Sequence, residues 1–252
     1  MNHETIELCM DFIRFNQDSE GFELESETDE TLRKIFDEDI TPDLAVENLI
    51  ERHNLETTFK PLADNNVFYP ETNTQVNYFN IKDPVELKKI EMKIYPIRLA
   101  ELIMGERPRK FDLDLLKDIH STLFGDIFPN AGIIRKFSAY KRTVFCQPEF
   151  IENVGKTIFS KLLKDRYLIK KNRRDFINDF AYYMGEVEAL HPFIDGNGRA
   201  IKAFFNFLAL NANYQIQWFE IDSDDLIEAD IGAIDGEYQL LVDVLSSAIP
   251  EN

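Results

Sequence analysis

His191-Pro192-Phe193-Ile194-Asp195-Gly196-Asn197-Gly198-Arg199-Ala200-Ile201-Lys202 is the stretch on which the chain turns. Before it, Phe176, Phe180, Tyr183, Met184, Val187 and Leu190 recur at spacings of three and four, which predicts a helix with a buried face. After it comes a second apolar run, Phe204 to Leu210. A polar, glycine-rich loop therefore sits between two buried helices. Gly196 and Gly198 lack Cβ, so the backbone there can take positive φ and approach a ligand closely; Asn197 tolerates the same region. A helix opens from Gly198-Arg199, and the N–H groups and dipole at a helix start favour an anion. Arg199 adds a fork of donors suited to phosphate. Asp195 is a carboxylate of the kind that holds Mg²⁺ against phosphates, and His191 suits a general base near neutral pH. A bare G-x-G is no more than a turn, and a lone histidine is more often packed than catalytic. His, Asp, Gly, Asn, Gly and Arg inside nine residues point instead to a nucleotide site.

These residues resemble the Fic family, whose motif is HxFx(D/E)GNGRxxR. Residues 191–199 match it in full, and Lys202 stands where the family has Arg. A looser resemblance spans about residues 67–245 and includes Tyr69-Pro70-Glu71-Thr72-Asn73. The resemblance implies an all-α, Fic-type helical bundle with a small β-hairpin flap. It also implies a protein adenylyltransferase that moves AMP from ATP, with Mg²⁺, to a Tyr, Thr or Ser hydroxyl of a target protein. A topoisomerase subunit such as DNA gyrase is the kind of target the family suggests. On this reading His191 is the base and Asp195 the metal ligand. Gly196, Asn197 and Gly198 form an anion cradle, Arg199 binds the β-phosphate and Lys202 faces the γ-phosphate end. Phe193 reads as an anchor of the loop. Lysine at 202 keeps the charge but loses the two-pronged geometry of arginine, and it also fits a plain surface lysine. The related Doc-type kinases carry Asn-Lys where Asn197-Gly198 stands here, so Gly198 points to nucleotidyl rather than phosphate transfer. Two other readings stay open: a Fic enzyme that uses another nucleotide or removes AMP, and a toxin–antitoxin module that binds nucleotide without turnover.

Over 252 residues, 44% hydrophobic and 29% charged content are ordinary for one sizeable core with a small accessory region. Two cysteines, Cys9 and Cys146, make no disulfide framework. Met-Asn-His-Glu-Thr lacks a basic leader, and no apolar run approaches a membrane span, so the expectation is a soluble cytoplasmic protein. A net charge of −18 argues against non-specific nucleic-acid binding. The charge is uneven. Residues 1–56 hold 17 acids and 4 bases, a net of −13, whereas residues 82–174 hold 12 acids and 21 bases, a net of +9. An acidic head and a basic middle attract one another, although both also fit solvated helix faces.

Residues 1–56 read as a module of three short helices: 4–16, one beginning near Thr28, and one after Thr41-Pro42-Asp43, where Thr41 is the cap and Pro42 the first helical position. Residues 57–83 lack helical periodicity and carry turn residues, as a linker lying on the core does. Residues 84–252 form the expected catalytic domain. Its helices are predicted from Pro84 to about Met104, Asp112 to Phe124, Pro148 to about Leu163 and Arg174 to Leu190, then over 223–231 and 235–247. Residues 132–146 are β-branched, aromatic and basic and read as a short hairpin. Beside the motif this hairpin resembles the Fic flap, with Lys141, Arg142 and Thr143 docking the target by strand addition.

Residues 19–53 resemble the small antitoxin that partners bacterial Fic toxins, whose inhibitory motif is (S/T)xxxE(G/N). Ser19 and Glu23 have its spacing, with Leu24 where Gly or Asn is usual. The resemblance implies antitoxin and toxin fused in one chain, with Glu23 held against Arg199 and Lys202. Ser247 to Asn252 fits the same pattern in full and makes Glu251 the alternative. A head that only stabilises the fold is also open.

Overall fold

The computed structural model describes residues 1–57, 67–140 and 144–251 and is all-α. Among the described residues ten helices run in order: α1 His3–Asp18, α2 Ser26–Phe36, α3 Pro42–Arg52, α4 Pro84–Met104, α5 Leu113–Phe124, α6 Ile151–Lys164, α7 Arg173–Leu190, α8 Asn197–Asn211, α9 Ser223–Ile234 and α10 Gln239–Ala248. Among the described residues there is no β-strand, only two isolated antiparallel bridges, Phe68 with Gln75 and Tyr140 with Val144. No helix of the described residues is long and apolar enough to cross a membrane.

The chain forms two compact units. The first holds Met1–Gly105 and Ser121–Ala131. Its axis is α4, which starts where Asp83 accepts from the N–H groups of Val85 and Glu86 and Pro84 fixes the first turn. α4 is apolar over most of its circumference, so it is buried on several sides and carries α1, α2 and α3 against it. The predicted Thr41 cap is present, accepting from Leu44 N–H at 3.2 Å. Arg98 of α4 gathers three carboxylates: both oxygens of Asp126, Asp43 at the start of α3, and Glu101 one turn on. A guanidinium is suited to this because its planar fork serves several acceptors at once.

The second unit holds Glu106–His120 and Gly132–Asn252. α7 packs against α6, α8, α9 and α10. Phe176, Phe180, Tyr183, Met184, Val187 and Leu190 are all buried, as the spacing predicted. α8 is buried on Ala200, Ile201, Ala203, Phe204, Phe205, Leu208 and Ala209. The Asp235–Gln239 stretch packs: Tyr238 sits against Tyr182 and donates to Glu186 Oε1 at 2.6 Å.

The expected hairpin over 132–146 is corrected to a single bridge among the described residues, and Lys141, Arg142 and Thr143 lie outside them. Main-chain donors near both ends of this segment bond outside it. Arg135 N–H goes to Pro192 C=O at 2.9 Å and Cys146 N–H to Ala189 C=O at 3.0 Å, so its two ends dock on the last turn of α7 and the loop that follows it.

Close packing of α7 on α9 and the turn before α10 depends on Gly185. A Cβ there would lie 2.7 Å from Ala233 Cβ and 2.9 Å from Tyr238 Cε1. Gly185→Ala is therefore expected to cost about 1–3 kcal/mol through overpacking. A thermal melt that matches the parent chain would show that the helices yield freely at this contact.

Candidate nucleotide site

α7 ends at Leu190, and His191 caps it in the left-handed region, φ 42°, ψ 62°, with its N–H on Val187 C=O. Pro192 follows and cannot continue the helix. Phe193 is fully buried, the anchor that the sequence suggested. Its backbone is clasped by one side chain: Phe193 N–H donates to Asn197 Oδ1, and Asn197 Nδ2 donates to Phe193 C=O, both at 2.9 Å. The Asn197 amide thus closes the loop, and its backbone N–H is what it offers to an anion.

Gly196 takes φ 74°, where a side chain would strain the backbone, and acts as the cap of α8. Gly198 does not need positive φ; it lies in the first turn of α8, and a Cβ there would meet only open space. The room above Gly198 is thus the part of the predicted cradle that a ligand can occupy. Asp195 is exposed, and its Oδ1 accepts from Gly196 N–H at 2.8 Å. Arg199 is 1% exposed on the first turn of α8, and Lys202, one turn on, is also buried. His191, Asp195, Gly196, Asn197, Gly198, Arg199 and Lys202 therefore share one loop and helix start within the second unit.

Lys202 is not a surface lysine. Asp230 of α9 lies in electrostatic range of both Glu188 and Lys202. Burial, and then the Glu188 carboxylate, push the Asp230 carboxyl well above the usual range, while Lys202 pulls it down. Asp230 Oδ1 is buried with no hydrogen-bond partner among the described residues.

Ser19 and Glu23 belong to the first unit. Ser19 caps the C-terminus of α1, and Glu23 is exposed in the loop before α2, near enough to Asp18 to raise its carboxyl pKa after burial has done so. Glu251 is exposed beyond α10, after Ile249, whose C=O accepts from Arg173 Nε.

Three residues that sequence reasoning passed over support the loop. His120 of α5 is buried; its Nδ1 accepts from Gly132 N–H at 2.9 Å, so the proton is on Nε2, which donates to Asp195 C=O at 2.8 Å. Its ring lies 3.9 Å from that of Phe193. The Phe145 ring stacks on the His191 imidazole, centroids 3.6 Å apart and planes 9° from parallel. Arg135 is 2% exposed, although it reads in sequence as part of a basic surface stretch. A histidine on an amphipathic helix carries no local mark of such a role, and neither does an arginine among other bases.

Burial pushes the His120 imidazole down to about 4, the Arg199 charge adds to this, and the bond to Asp195 C=O opposes it. A folded-state pKa below the ordinary value of 6.5 gives stability that is full above 6.5 and is lost as pH falls through about 4. The difference corresponds to about 3 kcal/mol. In melts from about pH 7 down to 4, the parent chain should lose Tm more steeply than His120→Gln. Parallel curves would overturn the neutral, buried state assigned to His120.

Comparison with known proteins agrees with this geometry. A Fic/DOC family model matches residues 110–209. The protein adenylyltransferase VbhT of Bartonella schoenbuchensis is 35% identical over 173 residues, 68% of this chain and 36% of that protein. The probable protein adenylyltransferase Fic of Escherichia coli is 30% identical over 184 residues, 73% of this chain and 91% of that protein. The chain thus spans about a third of the first relative and most of the second. In fold, it is similar to the BepC protein of Bartonella tribocorum with bound AMPPNP, with a TM-score of 0.68 and 24% identity over 74% of this chain and 97% of that one.

Proposed function

The chain belongs to the Fic/DOC family and groups with its protein adenylyltransferases, and from that premise we propose that it moves AMP from ATP to a Tyr, Thr or Ser hydroxyl of a target protein. The observation that carries this reading is one rigid loop that sets His191 at the end of α7 beside an anion-binding helix start with open space at Gly198. His191 takes the proton of the incoming hydroxyl. The hydroxyl oxygen bonds to the α-phosphorus, the bond to the β-phosphate oxygen breaks, and pyrophosphate leaves. The start of α8 and Arg199 stabilise the charge that grows on the phosphates. Asp195, an exposed hard carboxylate at the mouth of that helix, is the residue that would hold Mg²⁺. When bound, the ion would neutralise charge between phosphates.

The stretch 132–146, which includes Lys141, Arg142 and Thr143, is the proposed target-docking surface. The bridge between Tyr140 and Val144, and the exposure of both side chains, support strand addition there. A topoisomerase subunit is the kind of target proposed. The acidic head is proposed as an intramolecular antitoxin-like inhibitor acting through Ser19 and Glu23, supported by the exposure of Glu23 and by the opposite net charges of the head and the middle. Glu251 is the alternative inhibitory residue. A second reading, nucleotide binding without transfer, is favoured by Lys202, a lysine in place of the family's arginine whose charge acts on the buried carboxyl of Asp230.

Labelled-ATP transfer in a bacterial lysate tests these readings with the intact chain, Glu23→Gly, and Glu23→Gly with His191→Ala. New labelled bands are expected with Glu23→Gly, reduced about 10²–10⁴-fold by His191→Ala. Bands that survive His191→Ala would sink the role of the base. Nucleotide binding with no bands in any lane would favour binding without turnover.

A further inference from the structure

The guanidinium of Arg135 does something unusual for a buried charge. Each of its three nitrogens donates to a backbone carbonyl: Nε to His191 at 2.7 Å, Nη1 to Phe137 at 2.7 Å and Nη2 to Cys146 at 2.5 Å. Burial pushes its pKa down, as expected when the charge is balanced by dipoles. Hydrogen bonds from a charged donor are about twice as strong as neutral ones, and carbonyl oxygens buried here would lose that satisfaction if the fork were removed.

Two of the three acceptors belong to the backbone that flanks the His191 imidazole. The first belongs to His191 itself, which sits in the left-handed region at a cost of roughly 1–2 kcal/mol for a residue with a side chain. The third follows Phe145, whose ring lies flat against the imidazole. The Arg135 N–H also holds Pro192 C=O, the next acceptor along the chain. One residue thus fixes the backbone turn that aims the imidazole and also the segment bearing the ring on which the imidazole rests.

We infer that Arg135 is a positioning residue for His191, tying segment 132–146 to the base so that the imidazole holds one orientation. The inference deepens the proposed transfer reaction and rests on the role given to His191 there. Lysine keeps a positive charge at 135 but has one nitrogen and no fork, so it cannot serve three diverging carbonyls. A misaimed base about 1 Å from its place costs on the order of a hundredfold in rate.

Two measurements on the full chain test this. In the first, the four histidines are labelled with ¹³C and followed by NMR in the parent, Arg135→Lys and Phe145→Leu. The expected result is a changed His191 titration and broadened His191 ring signals in both variants, with the His120 signals unmoved. His120 reports the integrity of the same loop from the α5 side. Unchanged His191 signals in Arg135→Lys would overturn the inference. So would His120 and His191 moving together with a loss of folded dispersion, because Arg135 would then hold the fold and not the base. In the second, labelled-ATP transfer by Glu23→Gly is compared with and without Arg135→Lys. A fall of about a hundredfold in kcat with little change in KM for ATP is expected, and an unchanged kcat would count against the inference. If Glu23→Gly itself transfers nothing, the proposed reaction fails, and the NMR comparison decides the role of Arg135 on its own.

Discussion

Two hydrogen bonds between the Asn197 side chain and the Phe193 backbone hold the functional loop in shape. Loops that join helices are ordinarily the mobile part of a fold. Here the clasp spans the turn from the end of α7 to the start of α8, and Phe193 is sunk in the core at its centre. His120 takes up Asp195 C=O on one side, while Pro192 C=O and His191 C=O are taken up by Arg135 on the other. The backbone carbonyls of 191, 192, 193 and 195 therefore all have side-chain or main-chain donors from within the second unit. That network lets His191 keep an unfavourable backbone conformation, because relaxing it would break bonds that individually contribute about as much as the strain costs. The groups given chemical roles, His191, Asp195 and Arg199, are thus held in place largely by neighbours that have no such role.

Much of this was legible in the sequence. Helical periodicity found both helices that frame the loop, Thr41-Pro42 marked the start of α3, and the phosphate-binding residue types sit in nearly consecutive positions. What stayed hidden has physical causes. The hairpin expectation rested on β-branched and aromatic composition, but a segment's composition does not say where its backbone donors go, and those of Arg135 and Cys146 go to the loop after α7 and to the last turn of α7 itself. Arg135 looked like one base among many in that segment, because an arginine buried on carbonyls has the same local sequence as one in solvent. His120 was hidden because its partners, Gly132 and Asp195, are 12 and 75 residues away in sequence. Gly198 was legible as a glycine but not for the right reason: it leaves space and does not bend the chain.

Lys202 is where the site departs most from the family pattern, and its surroundings give the departure a physical meaning. A buried cation needs counter-charge or dipoles, since the desolvation of an uncompensated charge costs several kcal/mol. Asp230 lies in electrostatic range of Lys202; burial and the Glu188 carboxylate raise the Asp230 pKa, and Lys202 lowers it. An ammonium with an acid in electrostatic range offers a phosphate less attraction than its formal charge suggests, and without arginine's fork it offers no two-point grip. Arg199 is fully buried in the first turn of α8. On the proposed reading, anion binding would rest on the start of α8 and Arg199, and the γ-phosphate end is where lysine in place of arginine would matter most.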